Sequence, residues 1–216
     1  LWLALAESQM ELGLPVTPDQ VQAIRDHLDD IDFAAAAECF KDAMESNQVL
    51  FGKIHRETLT SRRNYGIALR RLGDLETALE LQLGTAELMR TKVGEDHPSY
   101  INTLYAIAKV YRSMEQYAKS LEYNLESMNR GERVLGEDHP KVIDYVVSLA
   151  MDHVSLDQDA EAEPYFREAL ARCLRVYGEQ HADTVNVRFR LSELCLRQNR
   201  LDEAIRFGRE SYDNHR

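Results

Sequence analysis

The pentapeptide Gly-Glu-Asp-His-Pro occurs twice, at residues 94–98 and 136–140, and its two glycines stand 42 residues apart. The spacing continues in both directions. Gly178 opens Gly-Glu-Gln-His-Ala 42 residues later, and Gly52 opens Gly-Lys-Ile-His-Arg 42 residues earlier. His55, His97, His139 and His181 keep the same register. So do a small column (Gly66, Ala108, Ala150, Ser192), a second small column (Ala78, Ser120, Ala162, Ala204), a large one (Leu81, Tyr123, Tyr165, Phe207) and an aliphatic one (Leu59, Ile101, Ile143, Val185). A fixed period of this length marks a chain built from one repeated supersecondary unit. Small residues mark where two elements approach closely, and the large ones fill the space beside them.

Each period reads as two helices. The predicted pairs are 57–72 with 75–93, 99–114 with 117–135, 141–156 with 159–177, and 183–198 with 201–216. The Leu72-Gly73-Asp74 break separates the first pair. Ile101, Leu104, Ile107, Ala108 and Tyr111 share one helical face. Gly and Pro are scarce, at 10 and 5 of 216 residues, and no long β-type alternation appears, so no sheet is expected. A hairpin of two such helices cannot bury its apolar face alone, so neighbouring hairpins must stack into a solenoid. The expected fold is all-α: a right-handed α-solenoid of antiparallel helix pairs, about four to five repeats.

The segments Ala160-Glu161-Ala162-Glu163-Pro164-Tyr165-Phe166-Arg167-Glu168-Ala169-Leu170 and Leu135-Gly136-Glu137-Asp138-His139-Pro140 carry a family resemblance. They resemble tetratricopeptide repeats in the 42-residue form found in kinesin light chains, over roughly residues 33–216. The usual repeat has about 34 residues, so the second helix gains about two turns. The chain departs from the family pattern at Arg62 and Arg188, where a large apolar residue is favoured, and at His153 and Cys195, where Tyr is expected.

Two domains are expected: an N-terminal cap or fused segment over 1–32 and the repeat solenoid over 33–216. Phe33 is in phase with Leu75 and Ala36 with Ala78, whereas Trp2, Leu5, Ala6 and Gly13 fit the start of a repeat's first helix. Between them lies an insert, Leu14 to Ile31, in which Thr17-Pro18 reads as a helix N-cap followed by Pro at the first helical position. The stretch 1–38 also resembles an early helical segment of adenylosuccinate lyase, through Leu12-Gly13-Leu14-Pro15-Val16-Thr17 and Leu28-Asp29-Asp30-Ile31-Asp32-Phe33. That family's catalytic residues have no counterpart here. The alternative reading is thus a fragment or fusion of that purine-biosynthesis enzyme without its activity. Residue 1 is Leu, which reads as a piece of a longer chain.

The formal net charge of -11 argues against a nucleic-acid partner, and no apolar run is long enough to span a membrane. The opening Leu-Trp-Leu-Ala-Leu-Ala is too short for a signal h-region and lacks a basic flank. Cys39, Cys173 and Cys195 are odd in number and widely spaced, which reads as buried structural thiols in a reducing, cytoplasmic compartment. The periodic histidines fall at helix junctions about 10 Å apart, whereas zinc donors converge to about 2 Å from the ion. No metal and no cofactor are expected. Gly94 and Gly136 read as left-handed helix ends, Pro98 and Pro140 as first-turn residues, and Asp96 or His97 as the cap between them. Catalytic motifs are absent, and Glu76, Glu80 and Glu87 have the spacing of a solvated helix face, so no enzyme is expected.

The first helices of the four pairs carry net charges of +3, +2, -1 and +1, in a chain at -11. Residues about 100° around from the packing face are Arg63, Ile67 and Arg70; Asn102, Tyr105, Lys109 and Arg112; Asp144, Val147 and Met151; Asn186, Phe189 and Glu193. The resemblance implies that these helices line a concave groove. It also implies extended cargo peptides as partners, here with acidic residues and a large apolar anchor. The expected function is a protein-interaction scaffold or adaptor. A purely structural, self-stacking spacer is the third reading.

Overall fold

The computed structural model describes residues 33–213, with side chains described to Ser211. The expectations for residues 1–32, including Trp2, the insert and most of the lyase-like stretch, lie outside the described residues.

The described chain is helical throughout, in the order α1 (Phe33–Phe51), α2 (Arg56–Leu72), α3 (Leu75–Val93), α4 (Pro98–Ser113), α5 (Tyr117–Leu135), α6 (Pro140–Ser155), α7 (Asp159–Val176), α8 (Ala182–Arg197) and α9 (Leu201–Asp213). The expected helices agree to within a residue or two at nearly every end. α1 and α3 each run 19 residues and begin 42 residues apart, so α1 is the second helix of a repeat. Each helix packs on its chain neighbours, and α2 also meets α4. α4 and α6 also meet directly through their side chains, so α2, α4 and α6 share one wall of the stack.

Every hairpin turns in the same way. The residue at the turn is left-handed: Gly73 (φ 88°), Glu115 (59°), Asp157 (56°) and Asn199 (59°), again 42 apart. In each turn two backbone N–H groups reach back into the last helical turn, as Gln116 does to the Tyr111 carbonyl and Glu115 to that of Arg112. This pair of bonds satisfies carbonyls that the helix end would otherwise orphan.

Junctions between repeats follow a second rule. His55, His97, His139 and His181 are all N-caps in extended backbone, and each Nδ1 accepts from the N–H two residues on, at 3.1–3.3 Å. The glycine before them is not the left-handed helix end expected. Gly94 (φ 88°, ψ 166°) and Gly136 (φ 89°, ψ 152°) have positive φ but extended ψ, because the chain must leave the helix straight towards the next cap. That region is open essentially to glycine alone. Asp96 does not cap; it pairs with Arg130 and Arg133 of α5. Asp138 pairs likewise with Arg175 of α7. Pro98 and Pro140 open α4 and α6. Where Pro is lacking, at α2 and α8, the hydroxyls of Thr58 and Thr184 instead donate to the carbonyls of Gly52 and Gly178, at 2.9 and 2.7 Å.

The main core runs through α4 to α9, with Tyr145, Phe166, Leu149 and Leu191 essentially sealed from solvent. Burying each such side chain contributes about 1.5–3 kcal/mol. The small columns are where helices touch: a Cβ on Gly66 would come within 2.5 Å of the Gln82 amide. The departures at Arg62 and Arg188 sit in the outer hairpins. Arg62 donates to Thr85 Oγ1 at 3.3 Å, and the buried Arg188 reaches the Glu179 carbonyl and Glu210. His153 stands in for Tyr by stacking on Tyr165 at 5.5 Å, as Tyr111 stacks on Tyr123. Cys173 and Cys195 are buried as expected, but Cys39 is exposed, since α1 turns Ala36 and Ala37 inward instead.

Candidate functional site

α2, α4 and α6 are cross-linked along their shared wall by side chains about one repeat apart. The Tyr105 and Ser148 hydroxyls lie 3.0 Å apart, and the Tyr145 hydroxyl donates to Asn102 Oδ1 at 2.9 Å. The Tyr105 and Tyr145 rings stand 4.7 Å apart, centroid to centroid. Burial pushes the Tyr105 hydroxyl up to about 12 and raises that of Tyr145 further. Both therefore stay neutral hydrogen-bonding groups on a dry patch. Tyr145 gives no sign in the sequence of being part of this wall, because its column, shared with Thr103 and Val187, is not among the wall positions.

The cations around that patch fall into two kinds. Arg112 is consumed internally: its Nε donates to Asp152 Oδ1 at 2.7 Å and its Nη2 to the Ser148 carbonyl at 2.6 Å. Asp152 is fully buried and also accepts from Ser120 Oγ (2.8 Å) and Asn124 Nδ2 (2.6 Å). This network ties α4, α5 and α6 together. Sequence reasoning placed Arg112 among the groove cations; Asp152 neutralises it.

Arg63, Arg70 and Lys109 are the second kind. Burial is the leading cause that holds each below its ordinary pKa. Arg70 reaches Ser113 Oγ at 3.4 Å, and Lys109 Nζ stands 4.2 Å over the Tyr105 ring. Among the described residues none of the three forms an ion pair. Arg70, Arg71 and Arg112 further depress Lys109 by repulsion, and Asp144 alone opposes them. Asp144 is raised by burial, against the pull of Lys109 and Lys141. Arg70 and Lys109 are thus crowded by other cations as well as desolvated, and Arg63 is desolvated.

The second half of the wall is apolar. Met151 and Val154 of α6 and Leu194 and Leu196 of α8 surround a pocket of about 460 Å³, with Phe166 at its base and the Arg190–Glu193 pair at its rim. Val147 is half-buried against the core, Ile67 is half-buried on α2, and Asn186 is exposed. Phe189, half exposed at 50%, continues the apolar strip. No group of three or more His, Cys, Asp or Glu among the described residues could hold a metal ion.

The sequence matches the Tetratricopeptide repeat profile over residues 68–132, 99–172 and 145–216, and a second Tetratricopeptide repeat profile over 21–87. The chain belongs to the tetratricopeptide repeat family. Among solved structures, BtubC (BKLC) from P. vanneervenii superposes with a TM-score of 0.75 at 18% identity, covering 85% of this chain and 74% of that one. The putative kinesin light chain of Podosopora anserina, with nearly identical TPR-like repeats, gives 0.73 at 16% identity, over 89% and 92%. The apo form of RapI gives 0.56 at 14% identity, over 99% and 96%. The resemblance to kinesin light chain-like tetratricopeptide proteins thus holds at the level of fold. Tetratricopeptide repeat proteins are commonly protein-interaction scaffolds and typically non-catalytic. Among the described residues, no helix is long and apolar enough to cross a membrane.

Proposed function

We propose that the chain is a non-catalytic scaffold or adaptor that holds an extended peptide along α2, α4, α6 and α8. The observation that carries this reading is the set of partly buried cations Arg63, Arg70 and Lys109, none of them in an ion pair among the described residues, with Arg70 repelling Lys109 and Asp144 opposing at Lys109. Acidic residues of the partner meet that cluster, and a large apolar residue fills the pocket between α6 and α8. The peptide class is the one that the resemblance to kinesin light chains implies. The buried thiols Cys173 and Cys195 fit a reducing compartment, and we place the protein in the cytoplasm.

The test is a fluorescence-anisotropy titration with an acidic, Trp-containing peptide. Lys109→Glu and Arg63→Glu are each expected to weaken binding about tenfold or more. Unchanged affinity in both variants contradicts the assignment. Arg112 is unsuitable as a reporter, because reversing it breaks the Asp152 network and the fold with it.

A further inference from the structure

The opposite, outer face holds a pocket with the reverse charge. It lies between α3 and α5 over α4, with a volume of about 410 Å³. Its floor is Ala86, Leu104 and Ile107, and Leu83, 37% exposed, forms one apolar wall. Tyr123 of α5 forms the other. Around this apolar floor stand Glu87, Glu122 and Glu126 against Arg90, with Arg130 just outside the lining. Arg90 is held by Glu87 at 2.9 Å, and Glu126 accepts from Arg130 at 2.8 Å. Glu122 forms no ion pair among the described residues. The surrounding field is negative enough to add to burial in raising the Tyr100 and Tyr123 hydroxyls, through Glu126 in both cases.

The repeat supplies its own control. The gap between α5 and α7 has Asn129 in place of Glu87 and Pro164 in place of Glu122, and Arg172 bridges Glu132 and Glu168 across it. The gap between α7 and α9 has Ala171 and Arg206 at those places. Among these three gaps, the first alone carries glutamate at both of those places, and Glu122 stands outside any ion pair among the described residues. Solenoid packing does not need these two glutamates, since the later repeats pack without them.

We infer that the α3–α5 gap is a second docking surface, for a peptide segment presenting an aliphatic or aromatic side chain beside lysine or arginine. The apolar residue lies over Leu104 and Ile107, and its basic neighbours reach Glu122 and Glu87. The acidic rim disfavours nucleic acid and acidic peptides, so this surface and the inner wall select partners of opposite charge.

The test is a random peptide library displayed on phage and panned on the 216-residue chain. Sequences pairing an apolar residue with Lys or Arg should be enriched on the wild type and on Lys109→Glu. They should be lost on a Glu87→Lys/Glu122→Lys variant and on Leu83→Asp. These three positions are exposed, and circular dichroism checks that the variants keep their helices. A synthetic peptide of the selected sequence should lose about tenfold in affinity on Glu122→Lys. The inference is overturned if no basic sequences are enriched, or if they persist on both outer-face variants. It is also overturned if light scattering shows self-association that the outer-face variants abolish, because the occupant is then a second copy of the chain. Loss through Lys109→Glu alone likewise contradicts it.

Discussion

Glu115 occupies a backbone position that glycine fills in the first hairpin, at φ 59°. Asp157 and Asn199 tolerate that conformation through their short polar side chains, and Glu does not. Glu115→Gly is therefore expected to stabilise the chain by about 0.5–1 kcal/mol, the relief of a left-handed side chain less the added freedom of the unfolded glycine. Thermal melting would show it as a higher midpoint. Asp152→Ala goes the other way. It strands Arg112 without its buried partner and breaks two further hydrogen bonds, at an expected cost of about 3–5 kcal/mol. Urea unfolding followed by circular dichroism measures it. Neither residue stands out in the sequence. The turn column is legible only where it holds Gly73, and Arg112 and Asp152 are 40 residues apart with the look of ordinary surface charges. By contrast, the histidine caps were legible, because four copies at one spacing leave little but a junction to explain them.

At the scale of the helix, each junction is held by a histidine cap and a positive-φ glycine, and the junctions before α4 and α6 also by an aspartate pinned to the repeat's own second helix. The Arg175 guanidinium holds the Asp138 carboxyl below its ordinary value. A depressed carboxylate stabilises the fold above its unfolded pKa, and that contribution is lost as pH falls through the folded one. Asp138→Asn should thus melt earlier than wild type at neutral pH, with the gap closing as pH drops below about 4. A pH series of melting curves reads this directly. A gap that is constant with pH would contradict the ion-pair account. Helix boundaries were legible because small and large columns repeat in register. The extended ψ of Gly94 and Gly136 was not, since glycine alone does not say which positive-φ region it adopts.

Over the whole molecule, stability is shared between neighbouring repeats, and the main core spans α4 to α9. Amide hydrogen exchange should be slowest in α4 to α8 and faster in α1, which shares no buried cluster with them. Charge is partitioned across the solenoid: desolvated cations inside, a glutamate-rimmed gap outside. The basic inner wall was legible as a sum of charges. Which cations remain available was not, because pairing across repeats decides it. The measurement that tests the inner-wall assignment most directly is a charge exchange. The acidic, Trp-containing peptide and its counterpart with Lys for each Glu are titrated into wild type and into an Arg63→Glu/Lys109→Glu variant. Wild type should bind the acidic peptide and reject the basic one, and the variant should reverse that order. If the variant keeps the wild-type preference, the peptide does not lie along Arg63 and Lys109.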